Sequence, residues 1–112
     1  MEVLHHGTTS KHLPNILRRG LAGPFEDVEV SLTDDFENAT AYATEAVHSA
    51  GGRPVVITVR VRRPEKYAEG YLAEFRTRKV LPKNILKVTY VKLMSDAERC
   101  ATLQHLIDTR GE

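Results

Sequence analysis

The sequence has a single cysteine, Cys100, and no tryptophan among its 112 residues. One cysteine excludes an intrachain disulfide, and the lack of a disulfide framework is typical of proteins from reducing compartments. No apolar run is long enough to span a bilayer, and residues 1–6 lack the basic and apolar regions of a signal peptide. The sequence therefore predicts a cytoplasmic protein that does not enter a membrane.

The sequence also has no large excess of positive or negative residues. The formal net charge is +1, so no overall field indicates a nucleic-acid or membrane surface. The Cys and His spacing resembles no zinc site, and no Gly-rich phosphate-binding fingerprint is present. We therefore expect no bound metal. The chain length fits one domain over residues 1–112.

Local patterns predict most of the helices and strands. Apolar alternation predicts strands over 3–6, 28–32, 55–61, 74–80 and 86–93, with a loop over 65–72 and a turn over 82–85. Cap signals predict three helices. One is capped by Thr9 or Ser10 and stopped by Gly20, and one runs from Thr33–Asp35 to Gly51–Gly52. The third begins with a capping box over Ser95–Glu98 and runs from Ala97 to Ile107 or Thr109. Because strands dominate the second half, the order predicts a mixed α+β domain and not a doubly wound sheet.

Three blocks of residues occur in a recognisable order. The first is LHHGT at 4–8 with ILRRGL at 16–21, the second is VSLTDD at 30–35 with ATAYA at 39–43, and the third is EFRTRKVLPKNI at 74–85. Together they resemble the His-Tyr-Glu class of the ADP-ribosyltransferase fold, which is shared by diphtheria-type toxins and poly-ADP-ribose polymerases. The resemblance implies an α+β domain with a split antiparallel β-sheet core and flanking helices.

The resemblance also implies a reaction and its catalytic residues. The protein would be an NAD-dependent ADP-ribosyltransferase that uses NAD as a substrate and releases nicotinamide. His6 would bond a ribose hydroxyl, the main chain of Gly7 would hold the nicotinamide amide, and Tyr42 would stack on the ring. Glu74 would stabilise the positive charge that develops on the sugar.

Further residues of the NAD site follow from the same resemblance. Thr8 and Ser31 belong to it, although many relatives carry an aromatic where Ser31 stands. Arg76 and Arg78 share a strand side with Glu74 and are suited to the NAD diphosphate. Candidates for the missing aromatic wall are Phe36, Tyr67 and Tyr71.

The resemblance defines the acceptor of ADP-ribose less closely than the donor, which is NAD. Leu72 stands where enzymes that modify arginine or asparagine often carry Glu or Gln. The acceptor group therefore does not follow from the resemblance. We expect a macromolecular acceptor, a protein rather than a nucleic acid, with the predicted loop 65–72 as the recognition segment. A small domain of this family is typical of toxins and phage effectors, and we expect a monomer.

Two other functions compete with this interpretation. Residues 52–56 (GRPVV) resemble a stretch of RNA 2′-phosphotransferases, but those usually carry an additional N-terminal lobe and do not rely on a glutamate at the position of Glu74. The second alternative is a degenerate module that binds NAD or a protein without turnover, which Ser31 leaves open.

A purely structural role is the alternative for each proposed catalytic residue. His6 is also compatible with a strand histidine, Tyr42 with a core tyrosine and Glu74 with a surface charge. Cys100 is predicted to lie in the core. The basic cluster is predicted to be a solvated strand edge; its members are Arg60, Arg62, Arg63 and Lys66.

Overall fold

The computed structural model describes residues 2–22, 30–62, 65–66, 74–77 and 79–110. Its helices are α1 (Leu13–Arg19), α2 (Phe36–Ala50) and α3 (Asp96–Arg110), and one 3₁₀ turn spans Pro82–Asn84. Its strands are β1 (Glu2–Thr9), β2 (Leu21–Ala22), β3 (Val30–Thr33), β4 (Pro54–Val61), β5 (Glu65–Lys66), β6 (Glu74–Thr77), β7 (Lys79–Val80) and β8 (Ile85–Tyr90).

The strands form two antiparallel sheets of unequal size. The large sheet has the order β5-β6-β3-β1-β4-β8, and β2 pairs with β7 in the small sheet. Helices flank this split sheet. The predicted α+β class with a split antiparallel core is therefore confirmed.

The main core lies on one face of β1 and β4. Alternate residues of β4, from Val55 to Val61, point into it together with Leu4 of β1. Ile16 of α1 and Val80 of β7 close this cluster from the other side. Helix α2 packs on the opposite face of the sheet, as the contacts of Gly7 show.

Gly7 brings α2 against the sheet because it has no side chain. A Cβ built on Gly7 would stand 2.0 Å from the Ala39 carbonyl oxygen and 2.6 Å from the Ala43 nitrogen. Ala39 and Ala43 are themselves fully buried. Small residues on both elements therefore let the helix backbone rest directly on β1.

Local capping chemistry appears where the sequence predicts it. The Asp35 carboxylate accepts a hydrogen bond from the Asn38 N–H at 2.9 Å at the start of α2. Gly51 ends the helix with φ 80° and donates its N–H to the Val47 carbonyl. Ser95 and Glu98 form the predicted capping box, with both reciprocal bonds at 3.1 Å.

The start of α1 differs from the prediction. Its N-cap is His12, which makes no side-chain cap bond, and neither Thr9 nor Ser10 caps it. The reason is that β1 does not end at Gly7 but continues to Thr9 against β4. The Thr9 hydroxyl is then committed to the Gly51 carbonyl, and the Ser10 hydroxyl accepts from the Arg53 N–H at 2.9 Å.

Three other predictions in the second half need correction. Glu65–Lys66 is a short strand paired with β6 and not part of a loop. The single strand predicted over 74–80 is divided, since β6 belongs to the large sheet and β7 to the small one. Strand β8 ends at Tyr90, before Leu93. Residues 28–29 and 67–72, on which other predictions fall, lie outside the described residues.

Candidate functional site

A hollow opens where the large sheet separates between β1 and β3. Strand β1 pairs with β4 from Glu2 to Thr9, but with β3 it pairs only at His5 opposite Thr33. Helix α2 covers the gap, and the resulting slot has a volume of about 260 Å³. Its lining residues are His5, His6, Gly7, Ser31, Leu32, Thr33, Tyr42, Glu45, Ala46 and Ser49.

The slot gathers four of the residues that the sequence assigned to an NAD site. His6 and Gly7 come from β1, Ser31 from β3 and Tyr42 from α2. They belong to separate segments of the chain, so the fold and not local sequence brings them together. Their roles toward a ligand stay predictions.

His6 is held in one orientation and one tautomer. Its Nδ1 lies 2.9 Å from the Ser31 carbonyl oxygen, and because a carbonyl only accepts, Nδ1 carries the proton. Burial is the main cause that lowers the pKa of His6. The hydrogen bond to Ser31 raises the pKa in part, and the nearby His12 lowers it further. The neutral ring therefore keeps Nε2 as a hydrogen-bond acceptor.

His5 also lines the slot, although the resemblance assigns it no role in the NAD site. Its Nδ1 is 3.0 Å from the Thr58 hydroxyl oxygen, and its ring meets Phe36 edge to face with centroids 5.3 Å apart. Burial lowers the pKa of His5, against the opposing effect of Asp34 and Asp35. Phe36 thus packs on His5 and is not a lining residue of the slot.

Tyr42 separates the slot from a second hollow. Its exposed fraction of 37% shows that it is not a core tyrosine. Tyr42 and Glu45 also line an interhelical hollow of about 400 Å³ between α2 and α3. Glu45 forms an ion pair there with Arg99 of α3. Cys100 lines the same hollow and is exposed, so the predicted core position is wrong.

Glu74 and Arg76 are placed by the strand register. In the pairing of β3 with β6, Thr33 lies opposite Glu74 and Ser31 lies opposite Arg76. Thr33 and Ser31 both line the slot, so β6 is the strand next to its β3 wall. The described part of the structure covers the main chains of Glu74 and Arg76 but not their side chains. Tyr67, Tyr71 and Arg78 lie outside it altogether.

A further hollow shares His6 with the slot as a lining residue. This α1 hollow has a volume of about 590 Å³ and includes the predicted site residue Thr8, which is 5% exposed. Its basic members are His12 and Arg19 at the two ends of α1 and Lys79 of β7, and no carboxylate is among its described lining residues. We refer to the slot and the α1 hollow, which share His6, as the two-part cleft, and its second part carries the cationic side chains.

Three residues of α2 that line the slot were not predicted, although their helical spacing from Tyr42 indicates a shared face. Glu45, Ala46 and Ser49 follow Tyr42 at spacings of three, four and seven residues, so they share its face of α2. Lys79 and Arg19 had no such signal, because β7 and α1 meet only through the tertiary fold.

Other site classes find no support in the part of the chain that the structure describes. No group of three His, Cys, Asp or Glu residues there could hold a metal ion. No described helix is long and apolar enough to cross a membrane. No family model matches the chain, and no curated protein matches it significantly.

Proposed function

We propose that the protein is an NAD-dependent ADP-ribosyltransferase that moves ADP-ribose to a macromolecular acceptor. The observation that carries the proposal is the slot itself, in which His6, Gly7, Ser31 and Tyr42 converge. These are residues that the resemblance assigns to one NAD site. The resemblance implies that these residues meet, and the fold brings them to one hollow from three separate elements.

The two-part cleft suits the two ends of NAD. The slot, with Tyr42 at its side, offers a ring surface and the nearby main chain of Gly7 for the nicotinamide amide. The α1 hollow offers Arg19 and Lys79 to the diphosphate, since guanidinium and ammonium groups bind phosphate. Ligand pockets generally combine an apolar part with a few polar groups in this way.

His6 would act as a positioning group for a ribose. Its neutral ring presents Nε2 as an acceptor, and a ribose hydroxyl is a donor. Because Nδ1 is fixed on the Ser31 carbonyl, the ring does not need to reorient when the hydroxyl arrives. Protonation would turn Nε2 into a donor and remove this match.

Glu74 would stabilise the transition state. The bond between the ribose C1′ and the nicotinamide nitrogen breaks, and its electron pair leaves with neutral nicotinamide. Positive charge develops on the sugar, which a carboxylate stabilises. An acceptor nucleophile then bonds to C1′ and loses its proton.

The structure adds no support for the RNA 2′-phosphotransferase alternative. Val55 and Val56, in the stretch that resembles that family, are fully buried in β4. Strand and core requirements therefore explain them without a substrate.

The test is nicotinamide release from NAD, with and without cell lysate, by the wild type and by Glu74→Gln. We expect release that depends on lysate and falls about 100-fold or more in Glu74→Gln, as for the loss of one charge-stabilising group. Glu37→Gln is the matched control, because Glu37 is exposed in the first turn of α2 and does not line the slot.

Other outcomes would overturn the proposal in distinct ways. Equal release by the wild type and Glu74→Gln would remove Glu74 from the mechanism. NAD binding by calorimetry without release would indicate the binding module. Neither binding nor release would reject NAD as the ligand.

A further inference from the structure

A second concentration of charge lies away from the slot, at the end of β4. Arg60 and Arg62 meet Lys79 of β7 and Lys83 of the 3₁₀ turn around a hollow of about 410 Å³. All four side chains are exposed. We refer to this feature, defined by these four residues, as the basic hollow.

The basic hollow has no counter-charge among the described residues. No carboxylate lines it, and the described ion pairs involve Arg99 of α3 instead. Glu2, which pairs with Val61 across the sheet, is not a lining residue. Four cations held around one concave surface repel each other and focus a positive potential, which an anionic ligand would relieve.

A solvated strand edge does not explain this arrangement. Strand β4 lies between β1 and β8, so the predicted strand edge is wrong for Arg60 and Arg62. Lys79 and Lys83 come from a different part of the chain. The formal net charge of the chain is only +1, yet four cationic side chains line one concave surface.

The geometry favours an anion with repeated phosphates. Residues two apart on a strand are separated by about 7 Å, so Arg60 and Arg62 can contact successive groups along a ligand. Guanidinium groups bind phosphate in a bidentate manner, and lysines add point charges. Four cations also exceed the charge of one phosphate group.

The lining residues exclude base reading by stacking. No aromatic side chain lines the basic hollow, so the part that the structure describes lacks the platform on which bases usually stack. Contacts would go to phosphates, which position a nucleic acid without reading its sequence. The hollow has a volume of about 410 Å³, within the range of sites that hold one small ligand, so we expect it to take a short stretch of one backbone.

We propose that the basic hollow binds the sugar–phosphate backbone of single-stranded nucleic acid. Lys79 lines both this hollow and the α1 hollow, and His6 lines both the α1 hollow and the slot. The basic hollow and the candidate NAD cleft therefore adjoin at Lys79. The site goes beyond the proposed function, and its binding is measured without NAD.

The test measures binding of a fluorescein-labelled oligouridylate by anisotropy over a series of salt concentrations. Each phosphate contact with a single strand contributes about −0.7 to the slope of log K against log salt, so four contacts predict a slope near −3. Arg60→Gln/Arg62→Gln/Lys83→Gln should weaken binding at least about 10-fold and reduce the slope to about −0.7. Lys79 is left unchanged because it also lines the α1 hollow.

The control variant removes the same charge elsewhere. Lys11→Gln/Lys87→Gln/Lys92→Gln changes three exposed cations that do not line the basic hollow, and it should retain the affinity within about twofold. An equal loss in both variants would show that net charge and not the hollow binds RNA. The single variant Lys83→Glu, on an exposed turn, should also weaken binding, and an unchanged affinity would contradict the site.

A competition experiment tests the class of partner. Unlabelled oligouridylate should displace the probe, and poly-glutamate at equal charge should compete poorly because carboxylates are spaced differently from backbone phosphates. Displacement by poly-glutamate with equal efficiency would overturn the proposal in favour of an acidic protein surface. Failure of RNA binding would leave nicotinamide release unaffected, so the two proposals fail separately.

Discussion

Gly7 sets the distance between β1 and α2, and this makes it sensitive to a single methyl group. An added Cβ would overlap the Ala39 carbonyl oxygen at 2.0 Å and the Ala43 nitrogen at 2.6 Å. Both are helix main-chain atoms, which cannot rotate away as a side chain can. We expect Gly7→Ala to lower the free energy of unfolding by about 3 kcal/mol or more, at the upper end of overpacking effects. Urea denaturation followed by circular dichroism measures this.

Gly51→Ala is the comparison for the Gly7 prediction. Gly51 has φ 80°, but a Cβ there would meet only the Lys11 side chain, at 3.9 Å. Its cost should be that of the backbone alone, about 1–3 kcal/mol, since φ 80° with ψ −169° is a conformation that residues with a Cβ rarely adopt. A Gly7→Ala protein no less stable than Gly51→Ala would show that α2 does not rest on β1 as described.

At the residue scale, the sequence identifies side chains better than main-chain groups. His6 and Tyr42 were singled out by resemblance, and the fold brings both to the slot. The partner that orients His6 is the carbonyl of Ser31, and every residue has a carbonyl, so no pattern could predict it. The resemblance assigned the main chain of Gly7 to ligand binding. The close packing of α2 on β1 is by itself sufficient to require a glycine at this position.

At the element scale, Thr44 connects α2 to the segment that leads into α3. Its fully buried hydroxyl accepts a hydrogen bond from the Met94 N–H at 3.0 Å and donates one to the Thr40 carbonyl at 3.0 Å. Thr44→Val would leave the buried Met94 N–H without its partner. We expect a loss of about 1–3 kcal/mol in unfolding free energy and faster amide hydrogen exchange at Met94.

Thr40→Val provides the matched control one turn earlier. The Thr40 hydroxyl donates only to the Phe36 carbonyl of its own helix, at 3.1 Å, so no N–H loses a partner. The expected loss is below about 1 kcal/mol, with Met94 exchange unchanged. Equal effects of the two variants would mean that the Met94 bond does not hold the segment.

Local signals and long-range pairing explain which elements could be predicted. The caps at Asp35, Gly51 and Ser95 depend on neighbours within a few residues, and all were predicted. Strand β1 passes through Gly7 because β4 pairs with it there, which is a contact between distant segments. The division of the predicted strand 74–80 between two sheets likewise depends on partners that its own residues do not specify.

At the scale of the whole molecule, the connected hollows are a property of the fold and not of composition. The slot shares His6 with the α1 hollow, and the α1 hollow shares Lys79 with the basic hollow. Each draws residues from at least two separate stretches of the chain, so a formal net charge of +1 did not indicate the local excess of cations. The resemblance supplied the slot residues, whereas only the assembled sheets showed what continues from them.

Two of the five histidines make the stability of the whole domain depend on pH. Burial lowers the pKa of His5 and of His6 below the ordinary value of 6.5. Between the lowered pKa and 6.5 the unfolded chain binds more protons than the folded one, so stability is full above 6.5 and falls as pH decreases below it. The slope reaches at most about 1.4 kcal/mol per pH unit for each histidine, and His5 contributes less because it is the less buried of the two.

The measurement is urea unfolding between about pH 8 and about pH 5, a range in which histidines titrate. His6→Asn should flatten the slope, because an amide can replace Nδ1 as donor to the Ser31 carbonyl but does not titrate. His48→Gln, which changes an exposed residue near the end of α2, should not flatten it. If His6→Asn kept the wild-type slope, His6 would be able to take up a proton in the folded state. Its Nε2 would then be a donor at the mouth of the slot, where binding of a ribose hydroxyl donor requires an acceptor.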